Sequence, residues 1–142
     1  MQTPEPMKLL IDHPHLCALC AAGVLGIFKG IIDGTMIQSG YKIRHGLHLA
    51  VWAFFLIGAL WFFGKGFTTG QLGATALSMW GLSALMFRGT VGADRGWEWD
   101  HMGTTAKLDR LLGDWFGEEA GRAALAAEWF LFVGGLIWYL VA

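Results

Sequence analysis

The sequence predicts an all-α integral membrane protein with four transmembrane helices and a short interfacial amphipathic helix between helices 3 and 4. Three observations carry that prediction. The 142 residues are 55% hydrophobic and 15% charged, with a mean hydropathy of +0.49, whereas soluble domains carry nearer a quarter charged residues. Four segments follow one another that are long enough to cross ~30 Å of hydrocarbon at about 1.5 Å per residue. Finally, 21 glycines and eight tryptophans are packed into this short chain. Glycine is commoner in membrane helices than in soluble ones and lets helices approach closely.

The first span covers about 15–37, with Asp12 as the expected N-cap and Pro14 in the first turn, where its missing N–H costs nothing. The second covers about 46–63, through LHLAVWAFFLIGALWFF. The third, about 69–87, is the least apolar because of its Gly, Ser and Thr. The fourth, about 123–142, carries EWFLFVGGLIWYLVA. Between the third and fourth, residues from about 104 to 116 have a helical pattern. Leu108, Leu111, Leu112, Trp115 and Phe116 fall on one side, with Lys107, Asp109, Arg110 and Asp114 on the other. Such a helix is expected to lie on the membrane surface. No repeat, low-complexity tract or second domain interrupts the chain, so residues 1–142 read as a single transmembrane domain.

Basic residues set the expected orientation. Connections 1–2 and 3–4 hold Lys42, Arg44, Arg95, Lys107, Arg110 and Arg122, with Arg88 at the boundary, against Lys8 and Lys65 on the other side. Short cytoplasmic loops retain Lys and Arg, which puts both termini on the non-cytoplasmic side. The opening Met1 to Pro6 is polar and acidic rather than basic, so the first apolar stretch is expected to be retained rather than cleaved. A net charge of −1 excludes nucleic-acid binding driven by bulk positive charge. Cys17 and Cys20 are too few for a disulfide framework.

Two groups of residues have chemical potential. At 100° per residue His13, Cys17 and Cys20 share one stripe of the first helix, and His15 points to the opposite face. Thiolate plus imidazole suits zinc or copper, but three ligands on one straight helix cannot surround an ion. Cysteine is also a common small buried residue, so packing is the simpler reading. The second group collects on the cytoplasmic side: Asp33 near the end of helix 1, His45 and His48 where helix 2 begins, Arg88 ending helix 3, Asp100 and His101 in the loop, and Glu128 inside helix 4. Ionisable groups at membrane depth are expensive and usually face the bundle interior or a wet cavity. One reading is an inner polar vestibule that binds a cation, a metal or a lipid head group, or that activates water for hydrolysis. The simpler reading is mutual neutralisation, Lys29 with Asp33 and Arg88 with Glu128. Haem ligation by two histidines lacks a matched pair; a single-His site, or a quinone pocket using His48, stays open. The stripe Gly23, Gly26 and Gly30, with Gly81, Ser83 and Ala84 on helix 3, reads as close interhelical packing.

No complete catalytic constellation stands out, and the residues assign no cofactor. The function expected is therefore a small non-catalytic, multi-pass subunit of a larger membrane assembly. Its partners would be the lipid bilayer and other membrane subunits or copies of itself. A cation- or metal-handling protein and a small metal-dependent membrane hydrolase are the alternatives.

Overall fold

The computed structural model describes residues 12–41, 45–96, 98 and 107–142. Among them all regular structure is helical: α1 (Pro14–Gln38), α2 (His45–Phe63), α3 (Thr69–Arg95), α4 (Lys107–Phe116), a 3-10 turn over Gly117–Glu119, and α5 (Ala120–Val141). Three helical runs are long and apolar enough to cross a membrane, Pro14–Gln38, Gly46–Phe63 and Asp109–Val141, each through an 18-residue stretch with a mean hydropathy of 1.9, 1.9 and 1.8 respectively.

Local chemistry sets most of the boundaries. Pro14 opens α1 at a position where its lack of an N–H is harmless. The expected Asp12 cap is not formed: His13 holds the cap position with φ −135°, and no side chain caps it. α3 starts with a capping box, in which Thr68 accepts from the Gln71 backbone N–H while the Gln71 side chain accepts from the Thr68 N–H. It ends at Gly96, whose φ of 65° is the left-handed conformation that stops a helix. That stop lies well beyond the end at residue 87 expected from hydropathy alone. Gly117, at φ 57°, separates α4 from α5 in the same manner. Residues 104–106 of the expected surface helix lie outside the described residues.

α3 is the centre of the bundle, packing chiefly against α1 and α5, while α2 leans on α1 and touches α3 only lightly. The contacts are close because small residues meet backbone. A Cβ at Gly26 would collide with the Ser83 carbonyl, one at Gly30 would lie 2.6 Å from Thr90 Cβ, and one at Gly34 2.5 Å from Asp94 Oδ2. Across the other face of α3, a Cβ at Gly81 would lie 2.5 Å from the Phe132 nitrogen and one at Gly135 2.7 Å from the Ala74 oxygen. Gly26 and Gly30 therefore pack as their stripe predicts. Between α1 and α3 one separation recurs: His15 faces Thr75, Gly30 faces Thr90 and Gly34 faces Asp94, each 60 residues apart. The two helices thus run in the same direction and in register along most of their length. The apolar core joins Ala18, Leu19 and Ala22 of α1, Trp52 and Leu56 of α2, and Met79 of α3.

Candidate functional site

Lys29 and Asp33 are one turn apart on α1, and Lys29 Nζ donates to Asp33 Oδ2 at 2.6 Å. The other oxygen of Asp33 lies 2.7 Å from His48 Nδ1 on α2, so one carboxylate ties two helices together. Asp33 is 4% exposed, which makes these partners obligatory, because an unpaired buried carboxylate is expensive. Lys29 also packs against aromatic rings. Its ammonium lies 3.6 Å from the Phe87 ring centroid and 5.7 Å from that of Trp52, within cation–π range. Trp52, one turn beyond His48, donates its indole N–H to Ser83 Oγ at 2.8 Å and lies against Trp80. The N-terminal half of α2 is thereby joined to the bundle by two polar contacts, His48–Asp33 and Trp52–Ser83.

A second charged group links α3 to α5. Arg88 Nε donates to Glu128 Oε2 at 2.9 Å and Nη2 to Oε1 at 2.6 Å. This two-pronged geometry is the strong form of an Arg–carboxylate pair. Arg88 directly follows Phe87, so adjacent residues of α3 serve the two groups. Near the same end, Gln38 donates to Asp94 Oδ2 at 2.9 Å.

Of the residues expected to line a vestibule, the described ones meet in pairs rather than as one convergent ligand set. Asp33 meets His48 and Arg88 meets Glu128, whereas Asp100, His101 and the side chain of His45 lie outside the described residues. Among the described residues no three His, Cys, Asp or Glu side chains group in a way that holds a metal ion. The stripe of His13, Cys17 and Cys20 does not converge: His13 and Cys20 are exposed and Cys17 is half-buried. Cys17 and Cys20 form no disulfide.

One functional candidate went unrecognised in the sequence. His15 is 7% exposed. Its Nδ1 lies 3.0 Å from Thr75 Oγ1, and its ring stacks on Tyr139 of α5 with centroids 3.8 Å apart and planes inclined by 14°. The signal was spacing: His15 is in helical phase with Leu19, Ala22, Gly26, Gly30 and Asp33, the buried face of α1.

Long apolar helices packed through small residues, with charges paired inside, define a multi-pass helical membrane protein. No family model, characterised protein or solved structure matches the chain.

Proposed function

We propose that this chain is a four-span, non-catalytic membrane subunit whose internal charges hold its own helices together and whose apolar exterior meets lipid and partner subunits. The observation that carries this reading is the pairing of Lys29, Asp33, His48, Arg88 and Glu128 with one another. Charges used this way specify helix neighbours and leave little free for a substrate. The fourth span is α3. It is 27 residues long, about 40 Å at 1.5 Å per residue. Its low hydropathy has a physical reason, since Thr75, Ser78 and Ser83 are each 0% exposed and lie between α1 and α5. A helix encased by other helices does not need an apolar surface on every side.

The basic-residue imbalance supports termini on the non-cytoplasmic side. α4 suits a surface location, with Leu111, Trp115 and Phe116 exposed and apolar beside the exposed Arg110 and Asp114. The test is mass measurement of the full chain extracted directly into native lipid nanodiscs, with elemental analysis of the same sample. An assembly of fixed stoichiometry without stoichiometric metal is expected. A solitary chain, or one divalent ion per chain, overturns the reading.

A second reading rests on one feature, the orientation of His48. Its Nδ1 is held by Asp33, the arrangement that fixes the tautomer of metal-ligating histidines. Cation handling on the inner side would use the remaining ring nitrogen. In that case His48→Gln removes a bound ion and leaves the fold intact.

A further inference from the structure

A crevice of about 360 Å³ opens between the start of α1 and the end of α5. Pro14, Leu16, Leu136 and Leu140 give it apolar walls, with the stacked rings of His15 and Tyr139 among its lining. The exposed Asp12 and His13 also line it. Its size is at the lower end of the range for small-molecule sites, about 300–1,000 Å³.

Hydrogen-bond bookkeeping fixes what His15 offers. In a neutral imidazole one ring nitrogen donates and the other accepts. If Nδ1–H donated to Thr75 Oγ1, both the Thr75 hydroxyl proton and His15 Nε2 would be left without partners. If Thr75 donates to Nδ1, a single group is unsatisfied, the Nε2–H. The second arrangement is favoured because unmade buried hydrogen bonds are costly. His15 Nε2 is buried and has no hydrogen-bond partner in the structure. His15, a residue of the crevice wall, therefore carries a buried donor without a partner, and the Asp12 carboxylate in the same wall repels an anionic head group.

We propose that this crevice binds one neutral, lipid-soluble molecule through a carbonyl oxygen that accepts from His15 Nε2–H, with its apolar body along Leu16, Leu136 and Leu140. The carbonyl belongs either to the ester of an uncharged lipid or to a quinone ring, and the two sources separate experimentally. The full-length protein, labelled with ¹⁵N-histidine in detergent, is titrated with dioctanoylglycerol and, in parallel, with a decyl-substituted benzoquinone. The Nε2–H resonance of His15, assigned by its loss in His15→Phe, is followed.

A saturable downfield shift with one probe supports the proposal and names the source. His15→Phe keeps a ring to stack on Tyr139 but removes the donor, so it is expected to weaken binding by about tenfold, the effect of one hydrogen bond. Thr75→Val releases the tautomer and is expected to weaken binding in the same direction, while Gly58→Ala on α2, outside the crevice lining, leaves it unchanged. If neither probe moves the His15 signal, or if both His15→Phe and Thr75→Val bind like the unmodified protein, the proposal is overturned.

Discussion

Arg88 on α3 and Glu128 on α5 stand 40 residues apart in the chain and meet through two parallel hydrogen bonds of 2.9 and 2.6 Å. Both side chains are mostly buried, at 15% and 18% exposure, so neither charge has ready access to water. Close by, Gly81 brings the two helix backbones within reach of each other. The pair thus sits where the helices can least afford to separate, and it acts as a lock on a contact already made by shape.

Breaking one side of this lock removes the charge that neutralises the other. Glu128→Gln is expected to destabilise the protein by about 3–5 kcal/mol, whereas replacing both residues, Arg88→Leu with Glu128→Leu, should recover much of the loss. Thermal melting in detergent of the two single variants and the double variant checks this. A double variant no more stable than the singles would contradict it.

Asp33→Asn removes the charge that serves both Lys29 and His48. Since α2 has few other contacts with the bundle, its first two turns should open more easily than α3 or α5. Amide exchange there is expected to rise by about tenfold, equivalent to about 1.4 kcal/mol of local opening. Equal acceleration in every helix would show that Asp33 supports the whole bundle instead.

Two glycines give opposite expectations. A Cβ at Gly26 collides with backbone, while one at Gly58 meets nothing within 4 Å. Gly26→Ala should cost about 1–3 kcal/mol through forced separation of α1 and α3. Gly58→Ala should be neutral or stabilise by about 0.5–1 kcal/mol. Parallel melts of the two variants make the comparison.

The four-span topology is checked with single cysteines in a background where Cys17 and Cys20 are Ser. Ser39→Cys and Glu98→Cys should label from one side of sealed vesicles, and Lys65→Cys from the other. Labelling of positions 65 and 98 from a common side would mean that α3 does not cross.

For α4, a spin label at Leu111 should be shielded from a water-soluble relaxing agent, and one at Asp114 accessible to it. Equal accessibility at both positions would remove α4 from the membrane surface.

The helices were readable in the sequence because a long apolar run needs no knowledge of its neighbours. α3 was harder, since Thr75, Ser78 and Ser83 lower its hydropathy and only their burial explains them. The Arg88–Glu128 pair followed from depth: an arginine and a carboxylate at the facing ends of two helices have few other choices. Asp33 and His48 both stood out as ionisable groups near one end, yet their bond depends on how α1 and α2 rotate about their axes, which no local pattern states. His15 escaped because its partners, Thr75 and Tyr139, arrive from distant segments. Its helical phase was visible, but the Cys17 and Cys20 stripe on the other face drew the chemical interpretation.

The in-register contact of α1 with α3 also bears on the order of assembly during synthesis. A ribosome adding about 5–20 residues per second needs about 3–12 s to make the 60 residues that separate each facing pair. Throughout that interval the glycine face of α1 is bare, and Asp33 has only Lys29 and, once α2 emerges, His48. The helix made second is thus the first available chaperone for the helix made first, shielding its charges until the principal partner is complete. A chain stalled before residue 75 would expose to the bilayer the very surface that the finished protein keeps most tightly closed.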